Sequence, residues 1–175
     1  IGGVVSAETP MAKPLMENEP GKSMFEGGRG FANGEFQEPR GLCVDSKKRV
    51  YVADTRNYRI QVFLSDGTYI GQLGERGNDV GQFEEPMDVA VDRADRVYVL
   101  DTWNHRVQVF TDKGEYVSTI ERQFYGPRAI AIDPQTNVVY VSDSGHHVVN
   151  VFDRSGKFIG IIGNRSQQPG DAEGE

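Results

Sequence analysis

Three aspartates, Asp54, Asp101 and Asp143, recur at one position of a repeated stretch. Carboxylates brought to a common centre would suit a hard cation, which takes clustered oxygens. Five positions after the first two stand Arg59 and Arg106, where the third unit has Val148. An Asp–Arg pair across a tight loop contributes about 1.5–3 kcal/mol when partly buried. These five residues therefore read as structural pins of a loop, and Asp143 is expected to be pinned more loosely or by something else. Asp45, Asp92 and Asp133 precede short turns, which aspartate initiates through its own backbone. His105, His146 and His147 are the only histidines. Neighbouring strand residues point to opposite faces, so the pair is a poor metal site. No metal, cofactor or catalytic residue is expected. The sequence has no Ser-His-Asp order, Walker loop, Cys-x-x-Cys or Gly-x-Ser-x-Gly, and Gly27-Gly28-Arg29-Gly30 opens no helical pattern that would cradle phosphate. The one cysteine, Cys43, reads as a small buried residue.

A second group of residues suits recognition. Arg56, Trp103 and Gly145 share one aligned but variable position, with Tyr58, His105 and His147 two places on. Tryptophan, tyrosine and arginine anchor protein interfaces. Arg56, Tyr58, Trp103, His105 and His147 are the expected partner-binding residues.

The elements that must position both groups are repeats. Tyr51–Phe63 returns as Tyr98–Phe110 and, more divergent, as Tyr140–Phe152. Asp to Asp is 47 positions and then 42. Upstream recurs Phe-x-x-Pro, at Phe36 and Pro39, Phe83 and Pro86, Phe124 and Pro127; downstream recur the turn glycines Gly67, Gly114 and Gly156. Period-2 alternation between turn residues predicts four short antiparallel strands per unit. These span Arg40–Val44, Arg49–Ala53, Tyr58–Leu64 and Thr68–Leu73 in unit one. Unit two has Met87–Val91, Arg96–Leu100, His105–Thr111 and Glu115–Ile120; unit three has Arg128–Ile132, Val138–Ser142, His147–Asp153 and Lys157–Ile162. In Arg59–Phe63, Ile60 and Val62 face one way and Arg59, Gln61 and Phe63 the other. A single sheet this small buries too little to stand alone, whereas radial stacking buries both faces.

At Gly81-Gln82-Phe83-Glu84-Glu85-Pro86 and Asp101 to Phe110 the chain resembles the NHL repeat family. The resemblance runs from about Gly34 to Gly163 and weakens in the third unit, where Gly145, His146 and Val148 replace Arg56, Asn57 and Arg59. It implies an all-β fold, an NHL-type β-propeller of three four-stranded blades, half of a six-bladed ring. Fold does not fix function. The preferred reading is a non-enzymatic scaffold for protein–protein interaction, its partner another protein, further blades, or a second copy closing the ring as a homodimer. One alternative is a propeller enzyme, or a small-ligand or ion site at the central channel. The other is RNA binding, as in the tripartite-motif ubiquitin ligases with NHL domains. A net charge of −7 without a Lys/Arg cluster disfavours it, because nucleic-acid binding rests on cations.

Residues 1–22 read as a proline- and glutamate-bearing linker or leader remnant, 23–163 as blades (units about 34–80, 81–123 and 124–163), and 164–175 as a tail like an inter-blade linker. That tail predicts a piece of a longer propeller, and Ser23–Glu26 is expected to form a strand of an adjoining unit. No stretch approaches the roughly 20 apolar residues of a membrane helix. Val5-Ser6-Ala7-Glu8 resembles the end of a signal peptide, so an extracytoplasmic location is expected over a cytoplasmic one.

Overall fold

The computed structural model describes residues 28–163. The expectations for 1–22, Ser23–Glu26 and 164–175 lie outside them. Three four-stranded antiparallel sheets follow one another along the chain. Blade one holds β1 (Pro39–Val44), β2 (Val50–Asp54), β3 (Arg59–Phe63) and β4 (Tyr69–Leu73). A two-residue strand pair, β5 (Glu75–Arg76) and β6 (Gln82–Phe83), closes the linker to blade two. Blade two holds β7 (Pro86–Val91), β8 (Val97–Asp101), β9 (Arg106–Phe110) and β10 (Tyr116–Glu121). Blade three holds β11 (Pro127–Ile132), β12 (Val139–Asp143), β13 (Val148–Phe152) and β14 (Phe158–Ile162). Sequence-predicted strands and observed ones differ by a residue at either end. Each blade opens on a proline, where the missing N–H costs no ladder bond, and each first strand is bulged immediately after it.

The blades stack face to face. Tyr51, Ala53, Ile60, Val62 and Leu73 of blade one pack on Phe83, Val89, Val97, Val99 and Phe110 of blade two. Tyr98, Leu100, Val107, Val109 and Ile120 of blade two repeat this on Phe124, Ile130, Val139, Val141 and Phe152 of blade three. The Phe of each Phe-x-x-Pro packs on the last residue of its own third strand. Ring centroids lie 5.6 Å apart for Phe36–Phe63, 6.1 Å for Phe83–Phe110 and 6.0 Å for Phe124–Phe152. This explains why all of β3 is buried. Its Ile60 and Val62 face the next blade, while Arg59, Gln61 and Phe63 lie beneath the blade's own incoming linker.

Polar clamps fix both ends of the seams. At one end the Thr55 and Thr102 hydroxyls donate to the carbonyls of Pro86 and Pro127, each at 2.8 Å. At the other, Ser46 of blade one donates twice to Asp95 of blade two, at 3.0 and 2.6 Å. Arg49 and Lys47 there reach Asp112. The two outermost faces repeat these buried faces without their cover. Leu42 is 64 % exposed where its counterpart Val89 is 2 %, and Ile162 is 57 % exposed where Ile120 is 3 %. A cavity of about 930 Å³ opens on blade one's outer face between Phe36, Val50, Phe63 and Tyr69.

Candidate functional site

The recurring aspartates end the second strands and sit beneath the loops to the third. Asp54 is fully buried. It accepts hydrogen bonds from the Gln37 backbone N–H (2.7 Å), the Asn57 amide (2.8 Å), Arg59 Nε (2.8 Å) and the Gln61 amide (2.8 Å). Asp101 accepts from the backbone N–H of Glu84 (3.0 Å) and Glu85 (3.1 Å) and from the Asn104 amide (2.6 Å). Its arginine is set further off, with Arg106 Nε at 3.5 Å. Burial pushes the Asp101 carboxyl above the usual aspartate range, against its hydrogen bonds to Asn104, Glu85 and Glu84. Asp143 accepts from the Tyr125 N–H at 3.0 Å and lies 2.8 Å from His146 Nδ1. The imidazole thus takes the place that the asparagine amide holds in the other blades.

The same side chains also grip the linker that enters each blade. In blade one, Arg59 Nη2 donates to the carbonyls of Ala32 (2.8 Å) and Glu35 (3.1 Å), Gln61 to Glu35 (2.7 Å), and Asn57 to Gly30 (2.8 Å). In blade two, Arg106 donates to Asp79 (2.9 Å) and Gln82 (3.0 Å), Gln108 to Gln82 (2.8 Å), and Asn104 to Gly77 (2.9 Å). The asparagines and the buried glutamines are the residues that sequence reasoning missed. Their signal was available: Asn57 and Asn104, like Gln61 and Gln108, are identical at aligned positions.

The residues expected to bind a partner all lie on the loops between second and third strands, at one end of the three blades. Trp103 is 67 % exposed. Arg56 is exposed and pairs with Glu38 at 3.3 Å. Tyr58 is half-buried beneath the Arg76 guanidinium, 4.9 Å from its ring centroid. His105 and His147 are exposed. Tyr58, His105 and His147 share a further feature that their residue types do not announce. Each closes its loop in the left-handed region, with φ of 58°, 52° and 56°.

The first strands β1, β7 and β11 pack side by side, and among their aligned positions Gly41, Asp88 and Ala129 the one carboxylate is Asp88. Asp88 accepts from the N–H of Ile130 in blade three and of Val89, both at 2.9 Å. On its other side lies Gly41 of blade one, where any Cβ would stand 2.5 Å from the Asp88 Cα. Burial raises the Asp88 carboxyl above its ordinary range. Asp54 and Asp101 are engaged instead in the loop bonds described above. Among the described residues no cluster of His, Cys, Asp and Glu is placed to hold a metal ion, and no helix is long and apolar enough to cross a membrane.

The NHL repeat model matches residues 36–63 and 83–110, the Phe-x-x-Pro to third-strand portions of blades one and two. Among curated proteins the chain is 44 % identical over 48 residues to Protein brain tumor of Drosophila melanogaster, covering 27 % of this chain and 5 % of that protein. It is 46 % identical over 46 residues to Protein lin-41 of Caenorhabditis elegans, covering 26 % and 4 %. Among solved structures it resembles a catalytically inactive variant of virginiamycin B lyase from Staphylococcus aureus with quinupristin. The TM-score is 0.59 at 15 % identity, over 75 % of this chain and 42 % of that one. It also resembles a chain of a nidogen/laminin complex, with TM-score 0.61 at 19 % identity over 73 % and 48 %. The chain thus carries NHL repeats in a β-propeller fold, and spans less than half of those solved chains and a small fraction of those relatives.

Proposed function

We propose that this chain, a set of NHL-repeat propeller blades, is a non-enzymatic platform that binds a protein partner through the loops around Trp103. The observation that carries the reading is the division of labour within those loops. Their Asp, Arg, Asn and Gln side chains turn inward and hold the fold. Trp103, at a position that differs in all three blades, projects outward and is 67 % exposed. A large exposed aromatic on a rigid loop is a low-entropy anchor for a partner. Arg56, Tyr58, His105 and His147 extend the surface over the same end of blades one to three.

The experiment is Trp103→Ala in affinity capture and titration with the captured partner. The expected loss is about 2 kcal/mol of binding or more, with an unchanged melting temperature. Unchanged affinity in the folded variant would refute the assignment. The open outer faces of blades one and three belong to the same reading: each takes a further blade or a second copy, and light scattering on the purified chain measures which. The working compartment is outside the cytoplasm on the strength of residues 5–8, which a fusion of the natural N-terminus to a compartment-sensitive reporter tests.

A further inference from the structure

Blade three lacks the turn that the other blades hold at their entrance. Ten positions separate Leu73 from Phe83, but four separate the equivalent Ile120 from Phe124. The residues that grip the turn have changed with it. Val148 stands for Arg59 and Arg106, Asn150 for Gln61 and Gln108, and His146 for Asn57 and Asn104. What remains is a cleft of about 630 Å³ lined by Arg122, Gln123, His146, Val148, Asn150 and Ile161.

The cleft keeps the donor chemistry of the place it occupies. Asn150 is buried, and its amide has one long bond, 3.5 Å to Asp143, where Gln61 makes two short ones to Asp54 and the Glu35 carbonyl. Arg122 is held at the rim with its guanidinium 3.5 Å from the centre of the Phe158 ring. Val148 and Ile161 give an apolar strip where blade one has the Arg59–Gln72 bond of 2.9 Å. Amide and guanidinium donors beside an apolar strip suit main-chain carbonyls and a carboxylate. The segments that fill this place in blades one and two are of that kind: Gly30-Phe31-Ala32-Asn33-Gly34-Glu35 and Gly77-Asn78-Asp79-Val80-Gly81-Gln82. Each offers three carbonyls to the blade and carries an acidic residue.

The geometry points to a peptide-docking cleft on blade three that receives an acidic glycine turn from a partner protein, seated as the missing linker would be. This deepens the protein-binding reading and rests on it, while placing the contact apart from Trp103. A segment that reproduces bonds the fold already uses on itself is a recurring mode of peptide recognition.

The test titrates the whole chain, isotopically labelled, with the hexapeptide Gly-Asn-Asp-Val-Gly-Gln and with its scrambled form. Expected are saturable amide shifts at Gln123, Val148 and Asn150, with a Kd tighter than about 1 mM, from the ordered peptide alone. Arg122→Ala should weaken binding about tenfold. Val148→Arg with Ile161→Gln, which restores the blade-one pair and fills the cleft, should abolish it. Trp103→Ala should leave peptide affinity unchanged, so failure at the loops and failure at the cleft are read separately. No shift at these residues at millimolar peptide overturns the proposal, as does equal binding of the scrambled peptide. Residues 170–175 have the same glycine spacing as the two linkers. Binding seen only after their deletion would make the chain's own tail the occupant and overturn a partner turn.

Discussion

Replacing Asp54 by alanine should cost far more stability than the same change at Asp143, although both are buried and end equivalent strands. The difference lies in what each carboxylate leaves behind. Without Asp54, the buried Arg59 loses its ion pair at 2.8 Å, a loss worth about 3–5 kcal/mol. The Gln37 N–H and the amides of Asn57 and Gln61 lose acceptors as well, at about 1 kcal/mol apiece, although both amides keep a linker carbonyl. The total, about 6–8 kcal/mol, is comparable with the whole stability of a small domain. Without Asp143, no arginine is stranded. His146 has 31 % of its side chain exposed and turns to water, the Asn150 bond was long, and the Tyr125 N–H is the principal orphan, for about 2–3 kcal/mol. Urea unfolding followed by circular dichroism measures both variants, and amide exchange at Gln37 and Tyr125 localises the damage. Equal costs would refute the claim that the arginine makes the first loop the more expensive one to break.

Other outcomes follow from single contacts. His105→Gly should stabilise the chain by up to about 1 kcal/mol, because glycine adopts the observed φ of 52° without strain; a lower melting temperature would count against it. Cys43 is half-buried, not the fully buried residue expected from sequence, and that burial with the nearby carboxylates of Asp88 and Asp45 pushes its thiol up to about 12, so alkylation of the native chain at neutral pH should be much slower than that of the urea-unfolded chain, and equal rates would contradict this. Hydrogen bonds from Ser46 hold the Asp95 carboxyl below its ordinary range. A lowered folded value gives stability that is present above the unfolded value and lost as pH falls through the folded one. Ser46→Ala should therefore cost about 1 kcal/mol at neutral pH and clearly less in acid, as read from urea midpoints; a constant penalty across pH would deny the linkage.

The strands were legible because alternation and turn residues mark them directly, and prolines at Pro39, Pro86 and Pro127 mark where each blade begins. Loop partners such as Asp54 and Arg59 were legible because five residues separate them. Gln61 and Gln108 were not. Alternation puts them on the face opposite Ile60 and Val107, which ordinarily looks to water, and their cover is a linker some 26 positions earlier in the chain. Tyr58, His105 and His147 looked like contact residues alone, since nothing in a tyrosine or histidine signals a left-handed backbone. Asp88 carried no repeat signal at all, with glycine and alanine at its aligned positions; its role comes from the bulge that turns it toward Ile130.

The two linker turns that precede blades one and two are gripped by the blade they enter. Gly77–Gln82 belongs to Asn104, Arg106 and Gln108, as Gly30–Glu35 belongs to Asn57, Arg59 and Gln61. The portable module is therefore out of phase with the visible sheet. A recombination or graft that cuts at the first strand would part the linker from its grips, leaving buried amides and a guanidinium with nothing to hold. A cut just after the fourth strand, at Gly74, transfers linker and grips together, and is the boundary at which blades of this kind can be exchanged between propellers.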